Sequence, residues 1–213
     1  HRLDTFRMVL YFYPMTGRPD RPLPDNWIGY PHQNSQLVQY FGDNIYNSEE
    51  TFIPLEGDAS LKMWGLFEGE NTENNIFQEW QDGELEPGTN LFIEAALMSH
   101  FNDSIAVGGN TAFLFAKYFG PNYEFIGMET TEHFDGHHST NNWHWKGFNA
   151  VVPENAFIVQ VGAMLVQPTN EDHGSVYIDN FYMERTDGDD TEGELLWVGE
   201  FEGHHYYAST SRF

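Results

Sequence analysis

The chain has 213 residues, with 33 acidic side chains against 9 basic ones and a formal net charge of −24. This charge repels nucleic-acid phosphates and anionic lipid headgroups, so neither nucleic acid nor a membrane surface is an expected partner. The absence of cysteine excludes disulfides and thiolate metal sites. No apolar run approaches the roughly 18 residues that a membrane-spanning helix needs, so membrane insertion is not predicted.

The length predicts one large β-domain, because β-sandwiches often run past about 200 residues as single units. Only three lysines are present, and the acidic surface suits an extracellular or cell-surface setting in which calcium is available. The sequence begins at His1 without a methionine, which fits a processed secreted protein or a trimmed chain.

Period-two patterning, with Gly, Pro and Asn between the apolar runs, predicts an all-β structure. In chain order the predicted strands are residues 7–13, 36–40, 60–66, 75–80, 91–100, 111–118, 124–128, 143–150, 157–166, 175–184 and 195–201. One face of the fifth strand is wholly apolar (Leu91, Ile93, Ala95, Leu97) and the other is mixed, as in a half-buried sandwich strand. Eleven strands suit a two-sheet jelly-roll β-sandwich.

Residues 16–32 (TGRPDRPLPDNWIGYPH) hold four of the ten prolines. Proline cannot donate to a strand ladder, so we expect a surface loop throughout this segment.

Several motifs occur in a recognisable order. Residues 24–27 (PDNW) are followed by residues 57–62 (GDASLK), and the region 143–184 ends the series with Trp143, Pro153, Ala156 and Asp179 at spaced positions. Together they resemble the extracellular carbohydrate-binding modules of the jelly-roll superfamily that contains families four, nine, sixteen and twenty-two. The resemblance covers residues 24–184 and implies a sandwich that binds a glycan without catalysing a reaction.

The opening strand of that family is displaced in this chain. Its Phe-Glu ending is absent upstream, and a plausible copy (ELLWVGEFEG) stands at residues 194–203 after an acidic linker. We therefore expect a module at residues 1–184, a linker at 185–193, and a terminal strand and tail at 194–213. The strand Leu195 to Phe201 either returns to its own sheet, as in a circular permutation, or completes a neighbouring copy.

The resemblance implies a structural Ca²⁺, with Asp179 and Glu202 as ligands and Asp58 as a weaker candidate. The alternative is that Asp179 only caps a turn or faces solvent. A second acidic cluster in the linker lacks the spacing of an EF-hand, and a solvated linker explains it better. A histidine-rich loop, residues 132–138 with His133 and His138, could hold a transition metal or line a sugar site.

Sugar recognition needs aromatic faces that stack on pyranose C–H surfaces and polar groups that pair with hydroxyls. Trp27 and Tyr30 in the proline-rich loop are candidates, as is Trp80 beside Gln78, Glu79 and Gln81. The remaining candidates are Trp145, Asn141 and Asn142. The resemblance places Trp143 in the core, and alternation then turns Trp145 inward unless a bulge intervenes.

No enzyme is expected. His1 could act in a copper brace like that of polysaccharide monooxygenases, but no surrounding motif supports one, and the strand signature of jelly-roll glucanases is missing. The leading hypothesis is a noncatalytic extracellular protein that binds a polysaccharide or glycan by aromatic stacking on a calcium-stabilised sandwich. The alternative is a structural subunit of an extracellular filament or sheath, a homopolymer assembled by donation of the C-terminal strand.

Overall fold

The structure is a computed structural model, and it describes residues 7–8, 27–30, 35–39, 55, 59–81, 84–186, 194–199 and 206–207. The strands are β1 (Arg7–Met8), β2 (Ile28–Tyr30), β3 (Ser35–Gln39), β4 (Ala59–Trp64), β5 (Thr72–Gln81), β6 (Asn90–Met98), β7 (Thr111–Phe119), β8 (Phe125–Thr130), β9 (His144–Val151), β10 (Ile158–Gln167), β11 (Ser175–Arg185), β12 (Glu194–Gly199) and β13 (Tyr206–Tyr207). Helical structure among these residues is limited to a 3-10 turn (Phe101–Asp103) and the short helix α1 (Ile105–Gly108).

Two antiparallel sheets form the sandwich. One has five strands in the order β2-β5-β10-β7-β8, and the other has six, in the order β3-β4-β11-β6-β9 with β12 also paired to β11. A separate two-stranded pairing joins β1 and β13. The predicted all-β jelly-roll sandwich is confirmed, because the described strands divide into two packed antiparallel sheets.

The eleven predicted strands are all present, with boundaries moved by a few residues and the first strand described only at two positions. The expectation that residues 16–32 form a loop throughout is wrong at its end, because Ile28–Tyr30 pairs with β5. This short run is free of proline, so its backbone can join the ladder even though the surrounding prolines cannot.

The core lies between the sheets and comes from one face of β4, β5, β6, β7, β9, β10 and β11. In β6 the predicted apolar face is buried, with Leu91, Ile93, Ala95 and Leu97 all at 0% exposure. Ile76 of β5 belongs to the same core cluster, as do residues of β7, β10 and β11. The period-two alternation therefore places the next residue of each strand on an outer face, where binding groups can stand.

A glycine lets two neighbouring strands of the five-stranded sheet approach each other closely. In β10, Gly162 pairs with Phe77 on one side and Phe115 on the other. A Cβ atom at this glycine would lie 1.9 Å from the carbonyl oxygen of Ile76, so only glycine allows β5 to approach at this point.

The C-terminal strand β12 pairs with β11 of its own chain. β6 follows one edge of β11, while the other edge is shared by β4 along Ser175–Ile178 and by β12 along Phe181–Arg185. The linker at residues 187–193 and the tail beyond the described pairings lie outside the described residues. Strand donation to a second copy stays a prediction.

Within the described ranges, no helix is both long and apolar enough to span a membrane.

Candidate functional site

Two of the predicted stacking residues face the core. Trp27 is 7% exposed and meets the ring of Phe181 edge-on at 5.4 Å between centroids. The expectation that it is exposed in a loop is wrong, because it precedes β2 on the side that faces the sandwich interior. Trp80 also packs against the core, since even-numbered residues of β5 point inward. Tyr30 is paired through its backbone with Asn75, and its side chain lies outside the described residues.

The two tryptophans around the start of β9 both lie on the outer side of the six-stranded sheet, not on the inner side expected of them. Trp145 is 52% exposed, on the outer face of the six-stranded sheet opposite Ala96. Its predicted inward orientation is wrong, because the even-numbered residues of β9, including Phe148 and Ala150, face the core. Trp143 precedes the strand and packs, partly buried, against Met98 and Tyr177 on that same outer side.

The amides of Asn141 and Asn142 hold the loop before β9. Asn141 adopts a positive φ of 59°, and its side-chain oxygen accepts a hydrogen bond from the backbone N–H of Phe101 at 3.0 Å. Asn142 donates through Nδ2 to Thr140 O at 3.1 Å and to Ser139 Oγ at 3.2 Å. Both residues are exposed, but these contacts give them a local structural role.

The histidine-rich loop is organised by pairs of side chains. His138 lies 3.2 Å from an oxygen of Asp135, and its ring meets that of His144 edge-on at 5.2 Å. His133 stacks on Phe113 with ring centroids 4.7 Å apart. Across the part of the chain that the structure describes, no group of three His, Asp or Glu side chains is arranged to hold a metal ion.

Asp179 is a buried carboxylate at an irregular point of β11. Its side chain is 1% exposed, and Oδ2 accepts hydrogen bonds from the backbone N–H of Leu55 and the hydroxyl of Ser60, each at 2.9 Å. Oδ1 accepts from the backbone N–H of Asn180 at 2.8 Å. An anionic oxygen donor suits Ca²⁺. The other two predicted ligands, Asp58 and Glu202, lie outside the described residues.

A hydrogen-bonded group of polar side chains stands on the outer face of the five-stranded sheet. Glu79 accepts from Tyr123 Oη at 2.8 Å and from Gln160 Nε2 at 2.7 Å. Gln81 also donates to Glu79, and it lies 3.2 Å from Tyr123 Oη. Glu79 and Gln81 reach this face because they are odd-numbered residues of β5, whose even-numbered residues fill the core.

Aromatic rings border this polar group. Tyr123 is 52% exposed and Phe125 is 62% exposed, and both lie against Phe119 with ring centroids about 6 Å apart. Tyr123 lies in the turn between β7 and β8 and has a positive φ of 60°. A hydrogen bond from its N–H to Gly120 O, at 3.1 Å, closes this turn. We call Glu79, Gln81, Phe119, Tyr123, Phe125 and Gln160 the Glu79 surface.

The ionisable groups at and near the Glu79 surface contact neighbouring side chains. The hydrogen bond to Glu79 raises the pKa of the Tyr123 phenol. Lys117, on the same face, donates to Asn75 Oδ1 at 3.0 Å and lies over the ring of Phe115 at 4.6 Å. Burial lowers the pKa of Lys117, while the nearby carboxylate of Glu73 opposes that shift.

The sequence indicated only part of the Glu79 surface. The sequence places Glu79 and Gln81 beside Trp80, but it gives no comparable indication for Tyr123, Phe125 or Gln160. The signal available for Tyr123 was its place in the Gly-Pro-Asn-Tyr turn that joins two predicted strands.

No protein-family model matches the chain, and no curated protein does. Its fold is similar to solved structures of carbohydrate-binding modules. One contains family 22 and catalytic modules of xylanase 10B from Clostridium thermocellum, complexed with xylohexaose, at 12% identity over 79% of this chain and 27% of that one (TM-score 0.49). The C-terminal family 22 module of the same xylanase is 16% identical over 79% of this chain and 89% of that one (TM-score 0.46).

A xylan-binding family 22 module of xylanase 10C from Paenibacillus barcinonensis is 14% identical over 76% of this chain and 92% of that one, with a TM-score of 0.46. At these identities and TM-scores the likeness carries no argument about function, which has to rest on the side chains.

Proposed function

We propose that this protein binds a glycan without catalysing a reaction, and that the Glu79 surface is the binding site. The observation that carries the proposal is the hydrogen-bonded set of Glu79, Tyr123 and Gln160 beside two exposed aromatic rings. Flat rings next to amides and a carboxylate provide what sugar recognition needs: a stacking face for pyranose C–H groups and partners for hydroxyls.

The polar groups are held in place before a ligand arrives. Glu79 accepts three hydrogen bonds, from Gln81, Tyr123 and Gln160. An ionised carboxylate has about four lone-pair sites, so one acceptor position remains for a sugar hydroxyl. Because the side chains are fixed by one another, binding requires little further ordering of them.

The aromatic rings supply the apolar part of the site. Tyr123 and Phe125 expose most of their rings at the end of the sheet, so a pyranose can lie on either one. A carboxylate that accepts three hydrogen bonds is arranged as a binding group, which favours recognition over acid catalysis. We therefore propose the noncatalytic role that the sequence predicts.

Substitution at the surface tests this proposal. In a screen against plant, algal and microbial polysaccharides, the protein is expected to bind at least one, and Tyr123→Ala should weaken that binding by about tenfold, or about 1.4 kcal/mol. Phe101→Ala is the matched control, because this ring is 58% exposed on the connection before β7, at the far end of that strand from Tyr123. Binding that survives Tyr123→Ala and Glu79→Gln unchanged would contradict the assignment.

The proposed function includes a structural calcium ion and an extracellular or cell-surface location of the protein. We propose a structural Ca²⁺ held by Asp179 with Glu202 and Asp58, which would add cationic charge beside the buried Asp179 carboxylate. An extracellular or cell-surface setting supplies both calcium and polysaccharide.

The filament alternative stays a prediction, and removal of residues 194–213 tests it. Loss of assembly with retained folding would favour donation of the C-terminal strand.

A further inference from the structure

A second group of aromatic and acidic residues lies on the outer face of the opposite, six-stranded sheet. Glu94 is at its centre, paired with Tyr182 of β11 on one side and Gly147 of β9 on the other. The next row on one side contains Phe92 between Glu184 and Asn149, and the next row on the other contains Ala96 between Asp179 and Trp145. We call this grid of nine residues the Glu94 face.

Glu94 is the unusual residue of the grid. Its side chain is partly buried, and burial raises the pKa of its carboxyl. Within the described part of the chain it has no hydrogen bond and no ion pair. A partly buried carboxylate without a partner costs stability, which makes it a candidate for binding a ligand that supplies the missing partner.

Aromatic rings flank Glu94 on this face. Trp145, in the neighbouring strand and the next row, is 52% exposed, whereas Ala96 beside it is fully buried. On the other side, Phe92 and Tyr182 meet edge-on with ring centroids 6.3 Å apart, and Phe92 Cζ would lie 3.2 Å from a Cβ atom at Gly147. The carboxylate therefore lies between the exposed ring of Trp145 and the ring of Phe92.

Charge favours a cationic group on the Glu94 face. Besides Glu94, the grid contains the carboxylate of Glu184, which accepts a hydrogen bond from Tyr182. The nearby cation Lys62 is engaged 3.1 Å from Asp103. An exposed tryptophan face adds to the attraction, because aromatic faces bind ammonium groups.

The exposed groups of this face are close enough for a small ligand. Ala96 and Asp179 are buried, at 0% and 1% exposure. Glu94 and Trp145 are separated by one strand spacing of about 4.8 Å and one row of about 6.8 Å. One or two pyranose rings span that distance.

We propose that the Glu94 face is a second carbohydrate site, which takes an unacetylated amino-sugar residue. The pyranose ring stacks on Trp145, and its ammonium group pairs with Glu94. This site is on the opposite sheet from the Glu79 surface, so the proposal does not depend on a glycan binding there.

Calorimetry with the full chain tests it, using the glucosamine hexamer and the N-acetylglucosamine hexamer as probes. The unacetylated probe is expected to bind at least tenfold more tightly. Glu94→Gln and Trp145→Ala should each weaken its binding by about tenfold. Glu154→Gln is the charge-matched control, because Glu154 is exposed in the turn between β9 and β10.

Two further readouts separate binding from attraction to an acidic protein. Binding should weaken as the pH falls through the raised pKa of Glu94, and Glu94→Gln should keep or raise the Tm, because it removes an unpaired charge. Equal binding of the two hexamers, or equal binding by wild type and Glu94→Gln, would overturn the proposal. So would oligolysine binding that is tighter than the glucosamine hexamer and is lost in the same variant, because the partner would then be a basic peptide.

Discussion

Tyr118 and Glu129 join the interior of one sheet to the edge of the other. The phenol of Tyr118, 2% exposed, donates to Glu129 Oε2 at 2.6 Å, and the same oxygen accepts from the backbone N–H of Val151 at 3.1 Å. Val151 belongs to β9, the edge strand of the six-stranded sheet, whereas Glu129 belongs to β8 at the edge of the other. The carboxylate therefore closes the open side of the sandwich.

Removing this phenol should destabilise the fold without affecting glycan binding. Tyr118→Phe is expected to lower the free energy of unfolding by about 1 kcal/mol, because Glu129 stays solvated and keeps Val151 as a donor. For a chain of this size the Tm should fall by about 2–4 °C. Tyr123→Phe is the control, since it removes an exposed hydrogen bond to a carboxylate. Equal Tm values for the two variants would contradict a stabilising role for the hydrogen bond between Tyr118 and Glu129.

The ion pair between Lys62 and Asp103 predicts a specific acid sensitivity. Burial alone would raise the pKa of Asp103, but the charge of Lys62 and hydrogen bonds from Ser175 and Lys62 hold it below its ordinary value of 3.8. A lowered pKa gives stability that is present above the unfolded value and is lost as the pH falls through the folded one. The wild type should therefore lose more stability than Asp103→Asn between about pH 4 and pH 2.

A double-mutant cycle on the same pair separates its parts. Lys62 is buried, and its loss leaves a carboxylate one-third exposed without its cation. Lys62→Met should cost about 2 kcal/mol, and Lys62→Met combined with Asp103→Asn should cost less than the sum of the single changes. Strict additivity in urea unfolding would show that the two side chains do not interact.

Glycine at position 162 should be irreplaceable. A Cβ there would lie 1.9 Å from Ile76 O and 2.6 Å from Phe77 Cα, and backbone cannot move aside as a side chain can. Gly162→Ala is expected to cost at least about 2 kcal/mol of unfolding free energy. Gly127→Ala, in β8 with open space around its Cβ position, is the matched control and should be nearly neutral. Similar unfolding midpoints would mean that β5 and β10 are farther apart at this point.

Calcium should raise thermal stability if Asp179 is one of its ligands. With Ca²⁺ at a hundredfold excess over its Kd, binding to the folded state alone adds about 2.7 kcal/mol. Scanning calorimetry with added calcium and with chelator measures this difference. Asp179→Asn should abolish the calcium-dependent part. An unchanged Tm in wild type would remove the site.

Alternation explains most of what the sequence predicted correctly. The apolar face Leu91, Ile93, Ala95 and Leu97 required burial on one side, so the sandwich could be predicted without knowing which strands pair. The wrong predictions arise where the sequence does not show which face of a strand points to the core. The resemblance puts Trp143 in the core and therefore turns Trp145 inward, but Trp143 precedes the strand and packs on the outer side.

The candidate site was harder to predict because its members come from distant strands. Gln160 reaches Glu79 only through the pairing of β10 with β5, and Tyr123 only through the turn after β7. Neither contact leaves a local pattern in the sequence. The expected exposure of Trp27 is wrong for a related reason. Its proline-rich segment predicts a loop, but the short strand Ile28–Tyr30 follows it and pairs with the distant strand β5.

The most direct test of glycan binding at the Glu79 surface is an NMR titration of the full chain with a polysaccharide fragment found in the screen. The side-chain amide signals of Gln81 and Gln160 and the ring signals of Tyr123 and Phe125 should shift together and saturate at one concentration. Absence of those shifts while Trp145 and residues of the six-stranded sheet respond, or no response to any glycan, would contradict the assignment.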